Sequence, residues 1–402
     1  MADKEDADSI IMRMRNLGAR NIRFEISDLF DRSQSTVVPQ NKYHELATEG
    51  LEFPLPGIFH DTDSTYKSVY HDKIGVLKPD FDSTLFRLPL SDGLALTLAE
   101  PHLDGSPLPT YPRHIARKQL DRLGELGFTL KSAFHLEFYL VAPGDSISAE
   151  LLASFLNTLQ GIGMEPLFLK TGKLPNYIDG TYKEEPGIKG ADFAHLFKTF
   201  MKEATVGRGA DVSFFSKYLR DPQFQKNCFL YFRHSLWDAE GKKDLTHDPE
   251  SPLGLTETAQ HWLAGILEHM PAITRFMFPT DFCWKHRSTK TETVNDKWEK
   301  DGSGSSMRLH AGGEGKTFVE TRQGTGRCNP YLLMAAVVAA GIDGIEKKLP
   351  LPEAGAESGK EVPTFHRKAS EAFEADEVLI NALGAGEDFI KLFKAKYEGI
   401  DE

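Results

Sequence analysis

Residues 133–140 read AFHLEFYL, and the fold turns on how that stretch is taken. Side chains alternate across a strand, so Phe134, Leu136, Phe138 and Leu140 share one face. His135, Glu137 and Tyr139 share the other. The apolar face belongs against a core. The second face aims a potential pair of metal ligands, His135 and Glu137, at whatever lies opposite.

The surroundings of that strand are those of a mixed protein. Upstream, YPRHIARKQLDRLGELG (111–127) places Pro112 at the start of a helix with a stripe of Ile115, Leu120 and Leu123, and Gly127 closes it. Residues 7–17 predict a short helix, and strand-like runs follow at 20–29, 36–39, 73–76, 83–90 and 95–100. Turn signals separate them at Pro54/Pro56, Asp92-Gly93 and Asp104-Gly105. Residues 1–104 are therefore expected to form a small, mostly β domain and residues 105–402 a larger one. Amphipathic helices are predicted at 148–163 and 191–206, with one long helix at 256–274. Asn329 as cap and Pro330 at the first turn open a helix through Ile345 that is apolar on all sides, hence buried.

Bulk composition narrows the function classes. The chain has 402 residues, 26% of them charged, and a formal charge of −12, which argues against a general nucleic-acid or anionic-membrane binder. Three widely spaced cysteines without a CxxC exclude a disulfide scaffold or a zinc ribbon. The start, MADKEDADSIIMRMRN, lacks a basic leader, and no apolar run approaches the ~18 residues that span a bilayer. A cytoplasmic protein is expected. HAGGEGKT (310–317) falls one glycine short of a phosphate-binding loop, and the residues after it alternate like a strand instead of opening a helix. It is expected to be a hairpin turn, and Cys328 a core thiol.

Five segments taken in order carry a resemblance. YHDKIGVLKPDFDSTLFRLP (70–89), LDGSPLPTYPRHIARKQL (103–120), AFHLEFYL, FRHSLWD (232–238) and CNPYLLMAAVVAAGIDGI (328–345) resemble successive landmarks of the glutamine synthetase family. The resemblance implies an α+β glutamine synthetase fold: a small N-terminal β-grasp-like domain and a larger α/β domain with a curved antiparallel sheet. In that family ATP phosphorylates the γ-carboxylate of glutamate and ammonia displaces the phosphate, with two divalent metals held by oxygen-rich ligands. AFHLEFYL falls on the strand whose pattern is Glu-x-Glu, so His135 stands in place of a metal-binding glutamate and Glu137 matches its partner.

Carried over motif by motif, the resemblance predicts a depleted site. Thr171 falls at one further metal glutamate and Asp179 at another. Tyr231 replaces a metal histidine and Arg233 a nucleotide-side histidine, while Lys226 and Asn227 replace an Asn-Gly that contacts glutamate. Ser303 stands where a nucleotide-contacting arginine is expected. Phe318 replaces the first arginine of an Arg-x-Glu-x-Arg strand. Glu320 and Arg322 survive on that strand, and Arg308 matches a phosphate-facing arginine. The residual metal ligands are thus Glu137, Asp179 and Glu320, and the residual phosphate contacts Arg308 and Arg322. Arg233 or Lys226 is expected to pair with the orphaned acids in place of metal.

The pattern is most similar to the glutamine synthetase-like subgroup of the animal eye lens. It implies a non-catalytic scaffold that forms rings with copies of itself and associates with cytoskeletal or lens proteins, with no cofactor expected. The alternatives are an active ATP-dependent γ-glutamyl ligase using Mg or Mn, and a sensor that binds nucleotide or amino acid without turnover.

Overall fold

The computed structural model describes residues 7–59, 68–80, 83, 86–88, 93–141, 147–172, 174, 176–206, 209–214, 228–285, 295–302, 304–357, 359–384 and 389–390. Two sheets organise them. The first contains β1 (Asn21–Ser27), β2 (Ser33–Pro39), β3 (Leu51–Pro54), β4 (Ile74–Pro79), β5 (Phe86–Arg87), β6 (Leu94–Leu103) and β7 (Ser106–Pro107), with α1 (Ala7–Asn16) and α2 (Tyr43–Glu49) beside it. Its main path runs β2-β1-β6-β4-β3, and only β1 and β6 lie parallel. Asp104 and Gly105 turn the β6–β7 hairpin, and both have positive φ.

The second sheet is built around the opening stretch. It contains β8 (Phe128–Val141), β9 (Pro166–Thr171), β10 (Tyr177–Tyr182), β11 (Glu185–Pro186), β12 (Asp211–Ser213), β13 (Phe229–Asp238), β14 (Trp298–Lys300), β15 (Met307–His310) and β16 (Phe318–Thr325). The main path is β14-β15-β16-β13-β8-β10-β9, antiparallel except for β14 with β15, which puts β8 between β13 and β10. Phe134, Leu136, Phe138 and Leu140 are fully buried, as the alternation predicts. HAGGEGKT is the β15–β16 hairpin loop.

The helices are α3 (Pro112–Glu125), α4 (Ala149–Gly161), α5 (Lys189–Thr205), α6 (Glu257–Glu268), α7 (Met270–Met277), α8 (Asp281–Lys285), α9 (Pro330–Lys347), α10 (His366–Glu374) and α11 (Glu377–Ala382); α3, α4, α5 and α7 pack on strands of this sheet, while α6 and α11 pack on α9 and α10 on α7. Asn329 caps α9 by accepting from Tyr331 and Leu332, and every residue from Pro330 to Gly344 is buried. Gly265 on α6 and Gly344 on α9 meet so closely that a Cβ on either would strike the other helix's backbone. The single helix expected over 256–274 is broken at His269. Pro271 has no N–H to donate to the preceding turn and its ring crowds that turn, so α6 stops and α7 starts afresh. Cys328 is a core thiol, donating to the Met277 carbonyl at 2.9 Å.

Charged clusters tie the first sheet to the helices of the second. Arg113 is 1% exposed and holds Asp192 at 2.7 Å, Asp80 at 2.7 Å and Glu100 at 2.9 Å; Tyr331 adds its hydroxyl to Asp192. Nearby, the imidazole of His195 on α5 is completely buried between Asp31 (Nδ1, 2.7 Å) and Glu25 (Nε2, 3.2 Å), while Lys198 also reaches Asp31 and Arg23 binds Glu25. Among the described residues, no helix is long and apolar enough to cross a membrane.

Candidate functional site

The face of the second sheet that carries His135 and Glu137 is arranged in cross-strand rows, because directly paired residues point the same way. One row runs Lys170, Asp179, Glu137 across β9, β10 and β8. The next runs Phe168, Thr181, His135, Tyr231 and reaches β13. A third runs Ala133, Arg233, Glu320, Arg308 across β8, β13, β16 and β15. Strand register thus gathers most of the residues singled out from the sequence onto one surface.

Each acid there meets a side chain that answers it. Asp179 lies against His135 Nε2 and is 3.1 Å from Lys170 Nζ. Burial pushes the Asp179 carboxyl upward, but its contacts with His135 and then Lys170 outweigh that and hold it below the usual carboxylate range. Glu320, 3% exposed at its side chain, lies 2.6 Å from Arg308 and 3.5 Å from Arg322. Glu137 accepts the Tyr177 hydroxyl at 2.5 Å. Burial, then the Glu137 charge, push that phenol far above its ordinary range, so it remains a donor. Aromatic rings share this face: Tyr231 meets His135 edge-on at 5.3 Å and lies 5.6 Å from the Arg322 guanidinium, while Phe318 stacks on His310 at 4.8 Å.

Three expectations need correcting or placing. Arg233 does not pair with the orphaned acids. It faces Glu320 across the strands, but Arg308 takes that carboxylate from the other side. Arg233 instead extends past the small Ala133 to the Tyr182 carbonyl at 2.7 Å and Glu184 at 3.1 Å. Thr171 pairs with Ile178 and so belongs to the opposite face from Asp179; Lys170 stands in the row instead. Lys226, Asn227 and Ser303 lie outside the described residues. His234 points into the core, where its Nε2 accepts from Trp262 at 2.9 Å and burial pulls its pKa down to about 3.

Lys170, Tyr177 and Glu184 were missed from sequence. Tyr177 had a signal, since it stands two residues before Asp179 on one strand. Lys170 and Glu184 had none, because their roles depend on pairing between strands.

A divalent cation needs several oxygen ligands converging on one point. Here Asp179 and Glu137 are cross-strand neighbours but Glu320 lies two rows away, and each acid is faced by imidazole, ammonium, guanidinium or phenol. Among the described residues, no three His, Cys, Asp or Glu groups converge on a metal position. This donor set does not fit the two-metal centre that the resemblance implies.

A family model, "Glutamine synthetase, catalytic domain", matches residues 147–398, more than half of the chain. The chain belongs to the glutamine synthetase family. Among curated relatives of this family member, dog (Canis lupus familiaris) lengsin is 29% identical over 413 aligned residues, covering 94% of this chain and 70% of lengsin. A gamma-glutamylethanolamide synthetase of Streptomyces coelicolor is 27% identical over 335, covering 75% of this chain and 71% of that protein. Among solved structures, GmaS without ligand superposes with a TM-score of 0.84 at 23% identity, over 96% of this chain and 95% of that one. At that identity the match speaks for the fold, which is the α+β glutamine synthetase fold.

Proposed function

We propose that this family member is non-catalytic and works as a structural scaffold, assembled from copies of itself into rings. The observation that carries the proposal is the internal answering of all three residual acids. Asp179 is held by His135 and Lys170, Glu320 by Arg308 and Arg322, and Glu137 by Tyr177. A cation entering at ~4 Å from Lys170, Arg308 or Arg322 would meet several kcal/mol of repulsion in a partly desolvated setting. The similarity to lengsin supports the same reading. Ring assembly rests on family resemblance; light scattering that returned a monomer would remove it.

The rival reading is an ATP-dependent γ-glutamyl ligase with an altered amine acceptor, favoured by the similarity to the gamma-glutamylethanolamide synthetase and by Arg308 and Arg322 remaining on the site's face. Calorimetry with ATP and Mg²⁺ or Mn²⁺, followed by glutamate with ammonia or ethanolamine and an assay of phosphate release, separates the two. The scaffold reading expects neither metal-dependent binding nor phosphate. Metal-dependent binding with release would replace it by the ligase.

A further inference from the structure

The helix break at His269 has placed an imidazole between two acids on separate helices. Its Nδ1 lies 2.7 Å from Asp376 Oδ2, and its Nε2 lies 3.1 Å from Asp343 Oδ2. Ionised carboxylates only accept hydrogen bonds, and neutral imidazole carries a single N–H. Both contacts are therefore hydrogen bonds only when the ring is doubly protonated. Losing one proton turns one of them into two acceptors facing each other.

What the ring holds is a short helix. Asp376 is the cap of α11, its Oδ1 accepting from Leu379 N at 3.0 Å, and Asp343 lies on α9. At six residues α11 has little helical stability of its own and depends on docking. Its docking consists of buried Leu379 and Ala382, the bond from Gln119 to the Ala382 carbonyl, and the His269 bridge. The helix also walls a cavity of about 600 Å³ whose other sides are α3 and α9.

We infer that His269 is a protonation-dependent latch that fastens α11 to α9 when charged and loosens it when neutral. Charged groups around the bridge come from several elements. On α9 these are Asp343 and Lys347, the latter 2.9 Å from Asp343. At the start of α11 it is Asp376, flanked in sequence by the exposed Glu374 and Glu377, and α3 brings Lys118, Asp121, Arg122 and Glu125 to the cavity that Asp343 lines. On the ring's own helix Glu268 is bound by Lys360 at 2.5 Å. The two carboxylates in contact with the ring favour the imidazolium. Burial disfavours it, but Asp376 and then Asp343 outweigh burial and raise the pKa above the ordinary histidine value. The latch is thus closed below that ordinary value and opens as pH rises through the raised one.

Hydrogen exchange of the full-length protein from pH 6 to 9, corrected for intrinsic rates, tests this directly. Protection of residues 377–382 should fall about tenfold across that range while α9 stays protected. His269→Gln should show low and pH-independent protection at α11. Asp376→Asn keeps a competent cap but removes the acid, and should also abolish the pH response. Constant wild-type protection at α11, a parallel loss in α9, or an unchanged pH response in His269→Gln would each overturn the latch. The wild-type series decides even if a variant fails to fold.

Discussion

The open face of the second sheet and the junction between the sheets are both crowded with paired charges, yet they differ in what the pairs can tolerate. On the open face the side chains of His135, Arg308 and Lys170 are 20%, 30% and 58% exposed, so water can replace a lost partner. At the junction Arg113 is 1% exposed and His195 fully buried, so bulk solvent does not reach them. Charge pairs of the first kind contribute little and are free to drift; those of the second leave a bare charge when broken. On the proposed reading, the site has changed where change is cheap. The junction holds the family architecture where it is costly.

The junction should break first and hardest. Arg113→Met leaves the buried Asp192 with only the Tyr331 hydroxyl, while Arg117 still holds Asp80 and Glu100, and a loss of about 3–5 kcal/mol in denaturant unfolding is expected. Arg113→Lys should recover little of it, because one ammonium cannot reproduce the fork that grips Asp192 through both Nε and Nη2.

The pH dependence of stability sharpens the same contrast. Desolvation lowers the His195 pKa, but Asp31 and then Glu25 outweigh it and raise the pKa to about 9. Its contribution is present below the ordinary histidine value and is lost as pH rises through about 9. Burial raises Asp31, yet Lys198 and His195 hold it down at about 2, so its contribution is present above the ordinary carboxylate range and vanishes as pH falls toward 2. Denaturation midpoints should therefore form a plateau bounded by these two losses, with the alkaline edge blunted in His195→Gln. An alkaline edge unchanged in that variant would remove His195 from the account.

Substitutions on the open face should cost less. Glu320→Gln leaves Arg308 and Arg322 without their acid but partly hydrated, and about 1–3 kcal/mol of stability is expected to go. If Glu320 instead serves catalysis, stability should hold and an activity should disappear. Asp179→Asn is the mildest case, under about 1 kcal/mol, since Lys170 is mostly in water. Thermal melts of the two variants side by side check the ranking.

Much of this was legible before any coordinates. The alternation of AFHLEFYL sorts core from site, and the Asn329-Pro330 start defines the buried α9. Five ordered landmarks carry the family. Apart from the helix break at His269, what escaped was of one kind, pairing between distant segments. That Lys170 rather than Thr171 stands on the site's face is a one-residue matter of register. That Arg308 displaces Arg233 from Glu320 depends on which neighbouring strand wins. The break at His269 was signalled locally by Pro271, but its consequence needed Asp343 and Asp376 brought from afar.

The central claim is that side chains have taken over from metal ions at Glu137, Asp179 and Glu320. Titrating the protein with Mn²⁺ while following the paramagnetic signal of the free ion tests it most directly. The account predicts that micromolar protein leaves that signal unchanged, with and without ATP. Two ions bound per chain with micromolar affinity would contradict it.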